Sequence, residues 1–214
     1  MVPWSGRAAG PRARGITSVG VRAGLLLRPV YLARRAAYEL HVRRQPDEPW
    51  LTPSAIAFLD RELPRDGVGL EWGSGRSTVW FGARLARLVS VEMDATWADR
   101  VHAKVVDMPN VDLRHVLLEH PKEEPTRPHY EPLPRYVSVI DEFPPDSLDF
   151  VLVDGHYRQA CVVAALGKLR PGGLLAVDNT DWLTDDLWGV PATWPRVHRS
   201  SNVVTVTTIW RKPC

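Results

Sequence analysis

The chain is poor in cysteine, in lysine and in long apolar runs, and each scarcity removes a class of protein. Its two cysteines, Cys161 inside an apolar stretch and Cys214 at the end, are too few for a disulfide framework or a four-ligand zinc site. A reducing, cytoplasmic compartment is therefore the expectation. No uncharged stretch of the arginine-rich N-terminal segment approaches the ~20 apolar residues that a bilayer-spanning helix needs. Internal repeats are absent too. What is present, 214 residues of which 44% are apolar, suits one globular domain with an appendage.

The formal charge of +2 is a sum of two unlike parts. Residues 1–44 carry nine arginines against the single acid Glu39, for +8; residues 45–214 carry 18 bases against 24 acids, for −6. From Ser18 to Arg44, leucines, alanines and tyrosines alternate with Arg22, Arg28, Arg34, Arg35, Arg43 and Arg44. Arg22 and Arg28 interrupt the apolar region, which argues against a secretory signal. The acid-poor composition is similar to that of a mitochondrial transit peptide. However, arginine outnumbers lysine 23 to 4 over the whole chain, which points to base composition in the coding DNA. Two readings stay open: an amphipathic helix making peripheral contact with an anionic membrane through residues 18–44, and a solvated helix behind a loose tail, residues 1–15. A nucleic-acid partner is not expected, because the body is acidic and has no recognition module.

After Pro49 the pattern becomes that of alternating strands and helices. Thr52-Pro53 opens a helix with Ile56, Leu59 and Leu63 on one face. Strands are expected at Val68–Trp72, Leu88–Val91, Val111–Leu117, Leu148–Val153 and Leu174–Val177. Helices are expected from about Ser77 to Leu85, Thr96 to Val106 and Tyr157 to Leu169. Pro171-Gly172-Gly173 reads as a turn. Residues 121–145 hold seven of the 19 prolines and read as a long loop or insertion, at about 119–146. Residues 182–202 lack clear periodicity, and the β-branched run Val203–Trp210 predicts a last strand near an edge. The whole is an α/β fold, an open and mainly parallel sheet.

In such a sheet, ligands sit beyond the carboxyl ends of the strands. Gly73 and Gly75 lie there, around Ser74 and just before Ser77 and Thr78. A dinucleotide fingerprint would place a third glycine at position 78, where Thr78 stands, so a nicotinamide-dependent oxidoreductase is a remote alternative. Glu71 precedes the turn by two residues and would repel a diphosphate while attracting an ammonium group. Glu92 ends the second strand, 19 residues beyond Gly73, where an acid accepts both hydroxyls of a ribose. Alternatively, Glu92 merely opens a solvated helix. An acid-flanked glycine turn with a distant acid suits a nucleoside bearing an amino acid, and S-adenosylmethionine is such a molecule.

LEWGSGRST, SVEMD, DFVLVDG and LRPGGLLAVDN, in this order, resemble the motifs of class I S-adenosylmethionine-dependent methyltransferases over roughly residues 50–211. The resemblance implies a Rossmann-like seven-stranded sheet with helices on both faces and an antiparallel last strand. It also implies a methyl donor cradled by Glu71, Gly73, Ser74, Gly75 and Glu92, with adenine near Leu118 and Glu119. The domain would span 45–214, with 1–44 as a basic tail and helix.

Asp154 ends the fourth strand and Asp178-Asn179 the fifth. Hard oxygen ligands there would suit Mg²⁺, Ca²⁺ or Mn²⁺. The set resembles the metal-dependent branch that includes catechol and caffeoyl-CoA O-methyltransferases, and by that resemblance Asp154, Asp178 and Asn179 would be ligands. That branch has a catalytic lysine three residues after the first acid; here the position is Tyr157, and flanking His156 or Arg158 would have to substitute. A metal-free polar site and plain turn chemistry are the competing readings. His156, with its near-neutral pKa, is the candidate general base. Trp182, Trp188 and Trp194 would form an aromatic wall for the acceptor, and Trp72 and Trp80 would pack in the core or line the donor pocket. The expected activity is methylation of an oxygen on a small molecule, saccharide or lipid-linked intermediate. The alternative is a non-catalytic donor-binding or scaffolding module at a membrane surface.

Overall fold

The computed structural model describes residues 29–121, 127–202 and 204–214. The tail 1–15, residues 18–28 of the basic segment and residues 122–126 of the proline-rich stretch lie outside them. Strands β1 (Val68–Trp72), β2 (Arg87–Glu92), β3 (Val111–His115), β4 (Leu148–Val153), β5 (Leu169–Val177), β6 (Arg196–Ser201) and β7 (Val206–Arg211) form one sheet in the order β3-β2-β1-β4-β5-β7-β6. The first five are parallel, and β7 runs antiparallel to both β5 and β6. This is the Rossmann-like arrangement anticipated, with a polar edge strand, β6, that had no periodic signal. Pro171-Gly172-Gly173 lies inside β5, at a register shift against β4, where a free-standing turn was expected.

The alternation of side chains along the strands divides the interior. Leu70, Trp72, Val89, Val91, Val151, Val153, Leu175 and Val177 point to one face. There they meet α5 (Arg135–Ser138), a 3₁₀ turn at Val139–Glu142, and α6 (Arg158–Ala165). Leu88, Phe150, Leu152, Leu174, Ala176 and Ile209 point to the other, against α2 (Pro53–Glu62) and α3 (Arg76–Gly82). Helix α4 (Ala95–Val105) buries Trp97, Val101 and Val105 against β3. Each fully buried Leu or Phe in these layers contributes about 1.5–3 kcal/mol relative to exposure.

The proline-rich stretch corrects its reading as a long loop. Tyr136, Val137, Ile140 and Phe143 are buried in the main core, and the Trp72 indole donates to the Tyr136 carbonyl at 2.8 Å. Proline content concealed the apolar spacing of a short helix. Helix α1 (Pro29–Arg44) precedes this body. It exposes Leu32, Ala33, Ala36, Ala37 and Leu40, and partly buries Arg35, Tyr38, His41 and Val42. The exposed Leu32, Ala36 and Leu40 stand one helical turn apart, on the face opposite the partly buried residues. Among the described residues no helix is long and apolar enough to cross a membrane.

Candidate functional site

The carboxyl ends of β1 and β2 hold the glycine turn. Gly73 has φ +94°, and a Cβ there would lie 2.8 Å from the Asp154 carbonyl carbon and oxygen, so only glycine fits between β1 and β4. The amides of the turn are all engaged. Gly73 N–H donates to Val91 O (2.9 Å), Ser74 N–H to Glu92 (3.1 Å) and Gly75 N–H to the Thr78 hydroxyl (2.9 Å). A pyrophosphate would have to displace these bonds. Thr78 thus closes the turn that a third glycine would have left open.

Glu92 joins the turn as expected. One oxygen accepts from the N–H and hydroxyl of Ser74; the other accepts from the amides of Met93 (2.8 Å) and Asp94 (2.9 Å). Burial raises its pKa, against the pull of these donors. Glu71 lies beneath the turn, fully buried, and accepts from Ser90 Oγ at 2.7 Å; its other oxygen has no hydrogen-bond partner. Burial pushes its pKa up to about 7, opposed by the hydroxyls of Thr78, Ser90 and Ser77. Ser77 and Thr78 are thereby turned inward. Trp97 of α4 donates its indole N–H to Ser74 O at 2.8 Å, fixing the outer rim.

The ends of β4 and β5 are held by a buried arginine. Arg158 donates to the carbonyls of Asp154 (2.9 Å), Gly155 (3.0 Å) and Asp178, and pairs with the Asp154 carboxylate at 2.9 Å. This arginine ties two strand ends together, a role that excludes it as a proton acceptor. Asp178 is turned toward β7: its two oxygens accept from the hydroxyls of Thr205 and Thr207, each at 2.7 Å. Asn179, in the left-handed region at φ 55°, also bonds Thr205, through its amide (2.7 Å). Burial and the neighbouring Asp154 push the Asp178 pKa up to about 7, and burial likewise raises that of Asp154. The expected metal set therefore does not fit. Asp178 and Asn179 are committed to threonines and Asp154 to a cation, and no group of three or more His, Cys, Asp or Glu among the described residues could hold an ion.

His156 and Tyr157 face the interior. Tyr157 is 1% exposed, sits at φ 49° and accepts from the His120 amide at 2.7 Å, packed edge-on against Tyr130 and Tyr136. His156 Nε2 donates to His120 O at 3.1 Å. Both belong to an aromatic cluster beneath the site, which corrects the reading of His156 as a general base at the cleft mouth. Gly155 exists for the same cluster: a Cβ there would lie 2.0 Å from the Tyr136 hydroxyl. Leu118 packs on the main core, and Glu119 is bound to Arg135 at 2.9 Å, which holds its carboxyl below the usual range. A cavity of about 410 Å³ adjoins them, lined by His115, Val116, Leu117, Arg135 and Val139.

Of the expected aromatic wall, only Trp182 faces outward. It is 43% exposed and stands 4.5 Å from the Arg158 guanidinium carbon, whereas Trp188 is fully buried and donates to Thr180 O, and Trp194 packs in the core. Trp72 and Trp80 are core residues, as anticipated. Two residues escaped sequence reasoning. Arg76, directly after Gly75, reaches back to Val42 O (3.2 Å) and Gln45 O (3.5 Å), and Tyr38 of α1 lies within the field of Asp154, Asp178 and Arg76. The position of Arg76 in the motif was the available signal; nothing local marked Tyr38.

No family of known sequences matches the chain, and no curated protein matches it. Solved structures do. An rRNA methylase from Streptococcus thermophilus is similar with a TM-score of 0.54 at 11% identity, covering 78% of this chain and 100% of that one. The yhhF protein of Escherichia coli gives 0.55 at 13% identity, with 75% and 85% covered. The N-methyltransferase NodS of Bradyrhizobium japonicum gives 0.50 at 13% identity, with 73% and 90% covered. At these identities the likeness shows the fold: this chain has the Rossmann-like fold of known methyltransferases.

Proposed function

We propose that the protein is an S-adenosylmethionine-dependent methyltransferase acting on an oxygen of a small hydroxylated molecule, saccharide or lipid-linked intermediate. The observation that carries this reading is the glycine turn at the end of β1, whose amides are all paired and which is flanked by Glu71 and Glu92. An anionic dinucleotide finds no free amides there. A cationic donor with a ribose finds an acid at the turn, with Ser74 exchanging its bonds to Glu92 for the ligand's. The likeness in fold to solved methyltransferases supports the same conclusion.

Asp154 is the proton acceptor in this reading. Its side chain is 28% exposed, Arg158 occupies one of its oxygens, and burial raises its pKa, against the pull of Arg158. The acceptor hydroxyl gives its proton to Asp154, the oxygen takes the methyl group in line, and the donor leaves as S-adenosylhomocysteine. Trp182 offers its face to the acceptor ring. No metal step is included, because Asp178 and Asn179 are committed to threonines. The Streptococcus thermophilus neighbour is named for rRNA, but the −6 charge of residues 45–214 disfavours a polyanionic acceptor.

Calorimetric titration with S-adenosylhomocysteine tests the reading. Binding is expected, with Glu92→Ala weakening it at least about tenfold, the loss of a charge-assisted pair of hydrogen bonds. A folded sample that ignores this ligand and binds NAD instead would refute it. The engagement of Tyr157 and Arg158 in structural bonds favours a second reading, a donor-binding scaffold without turnover. Labelled methyl transfer that disappears in Asp154→Asn rules that out.

A further inference from the structure

Helix α1 meets the body in the opposite sense to an ordinary surface helix. Its inward side is largely polar: Arg35, Tyr38 and His41 are partly buried beside Val42, and His41 meets Glu48 at 2.8 Å. Its last turn is fastened from below, where Arg76 donates to Val42 O (3.2 Å) and Gln45 O (3.5 Å). A helix held along that side cannot roll its leucines inward. The outward side is apolar. Leu32, Ala36 and Leu40 follow one another at single-turn intervals beside Ala33 and Ala37, and Leu32 and Leu40 are 49% and 47% exposed. Helix α2 does the reverse and buries Ala55, Ile56 and Leu59. Arg43 and Arg44, both exposed, continue the outward side of α1, one turn beyond Leu40 and two turns beyond Ala36.

We propose that the outward face of α1 docks on an anionic lipid bilayer, with Leu32, Ala36 and Leu40 entering the headgroup boundary and Arg43 and Arg44 meeting the phosphates. An exposed apolar face that ends in arginines fits a partner that is apolar within and anionic at its surface. The division of charge sets the orientation. Residues 1–44 carry +8 and residues 45–214 carry −6, so an anionic surface attracts the side that bears α1 and repels the body. A symmetric pairing of two copies through this face would instead set two +8 segments side by side. The contact is peripheral, because two leucines hold a bilayer weakly and the arginines must add to them. Tyr38 on the inward side lies in the field of Asp154 and Asp178, so α1 would stand between the bilayer and the ends of β4 and β5. The docking goes beyond the methyl-transfer reading and does not depend on it.

The test is co-sedimentation of the full chain with two kinds of vesicle, phosphatidylcholine alone and phosphatidylcholine mixed with phosphatidylglycerol in equal parts. The mixed vesicles should bind the wild type at least about tenfold more tightly, since each arginine near an anionic surface adds roughly fivefold. Rising salt should shrink that margin. On the mixed vesicles the pair Leu32→Gln and Leu40→Gln should lose at least about tenfold, the loss of two partly inserted leucines. The pair Arg43→Gln and Arg44→Gln should lose about as much and flatten the salt dependence. All four side chains are exposed, so both variants should keep the thermal midpoint of the wild type. Undiminished binding of the leucine variant would place the attraction in the arginine-rich tail alone and overturn the proposal. Equal partition to the two vesicles, or none to either, overturns it as well. A wild-type dimer in light scattering that becomes a monomer in the leucine variant gives the face to a second copy, and an RNA oligonucleotide bound by the wild type and released by that variant gives it to a nucleic acid; either result overturns the docking.

Discussion

At the ends of β1 and β2, most polar bonds of the site join residues close in sequence: Gly75 to Thr78, Ser90 to Glu71, and Glu92 to Ser74, Met93 and Asp94. At the ends of β4 and β5, the bonds reach across the fold, from Arg158 to Asp178 and from Asp178 to Thr205 and Thr207 of the β7 region. The first half holds its acid, Glu92, with backbone amides and the Ser74 hydroxyl, and among the described residues no cation is paired with it. The second neutralises its acids with a buried arginine and hydroxyls. The first arrangement can trade a hydroxyl for a ligand with little loss. The second is a brace, and a ligand taking its groups would undo the junction of three strands.

The largest expected effect breaks the brace. Arg158→Ala removes the one cation that, among the described residues, meets Asp154 at hydrogen-bond distance and leaves three strand-end carbonyls without their donor. Removing one partner of a buried pair costs about 3–5 kcal/mol, and urea denaturation should show a loss of that size. Arg158→Lys should recover little of it, because one ammonium cannot reach four acceptors arranged around a planar fork. A loss below about 1 kcal/mol would mean that the strand ends hold themselves and that Arg158 is free for substrate.

The second effect concerns Asp178, whose pKa is pushed up to about 7 in the folded chain by burial and by Asp154. In the unfolded chain the group returns to its ordinary range, so between about pH 4 and 7 the folded state holds more protons. Stability therefore falls as pH rises through that window. Between pH 5 and pH 8 the loss from this group is about 2 kcal/mol. Asp178→Asn should remove it and raise stability at pH 8, leaving a smaller slope of the same sign from Glu71, which burial also pushes up to about 7. Thermal midpoints at the two pH values measure both. An unchanged slope in Asp178→Asn would place the carboxylate in contact with water.

The same contrast explains what the sequence disclosed. The turn, Glu92 and six of the seven strands were legible because each depends on neighbours a few residues away or on an apolar or β-branched run. The edge strand β6, RVHRSS, carries no apolar alternation, since it meets solvent on much of its surface. The direction of Asp178 depends on hydroxyls 27 and 29 residues further on, and no local pattern distinguishes a carboxylate turned toward a cleft from one turned toward a neighbouring strand. Tyr157 stood where the resemblance expects a lysine; its burial follows from Tyr130 and Tyr136, supplied by a stretch whose prolines disguised it as a loop.

The smallest expected effect separates two tryptophans six residues apart. Trp188 is fully enclosed, and its indole N–H is bonded to Thr180 O; truncation to alanine should cost about 3–5 kcal/mol. Trp182 has 43% of its surface exposed and touches the site through the face it presents to Arg158. Trp182→Ala should cost under about 1 kcal/mol, the scale of an exposed cation–π contact, so its urea midpoint should stay close to that of the wild type. If the ring serves the acceptor, the same variant should raise the acceptor KM while leaving S-adenosylhomocysteine affinity in place, because the donor turn lies at β1 and the ring at the end of β5. A stability loss as large as that of Trp188→Ala would instead make Trp182 part of the brace, and the face open to an acceptor would have to be sought at Tyr38.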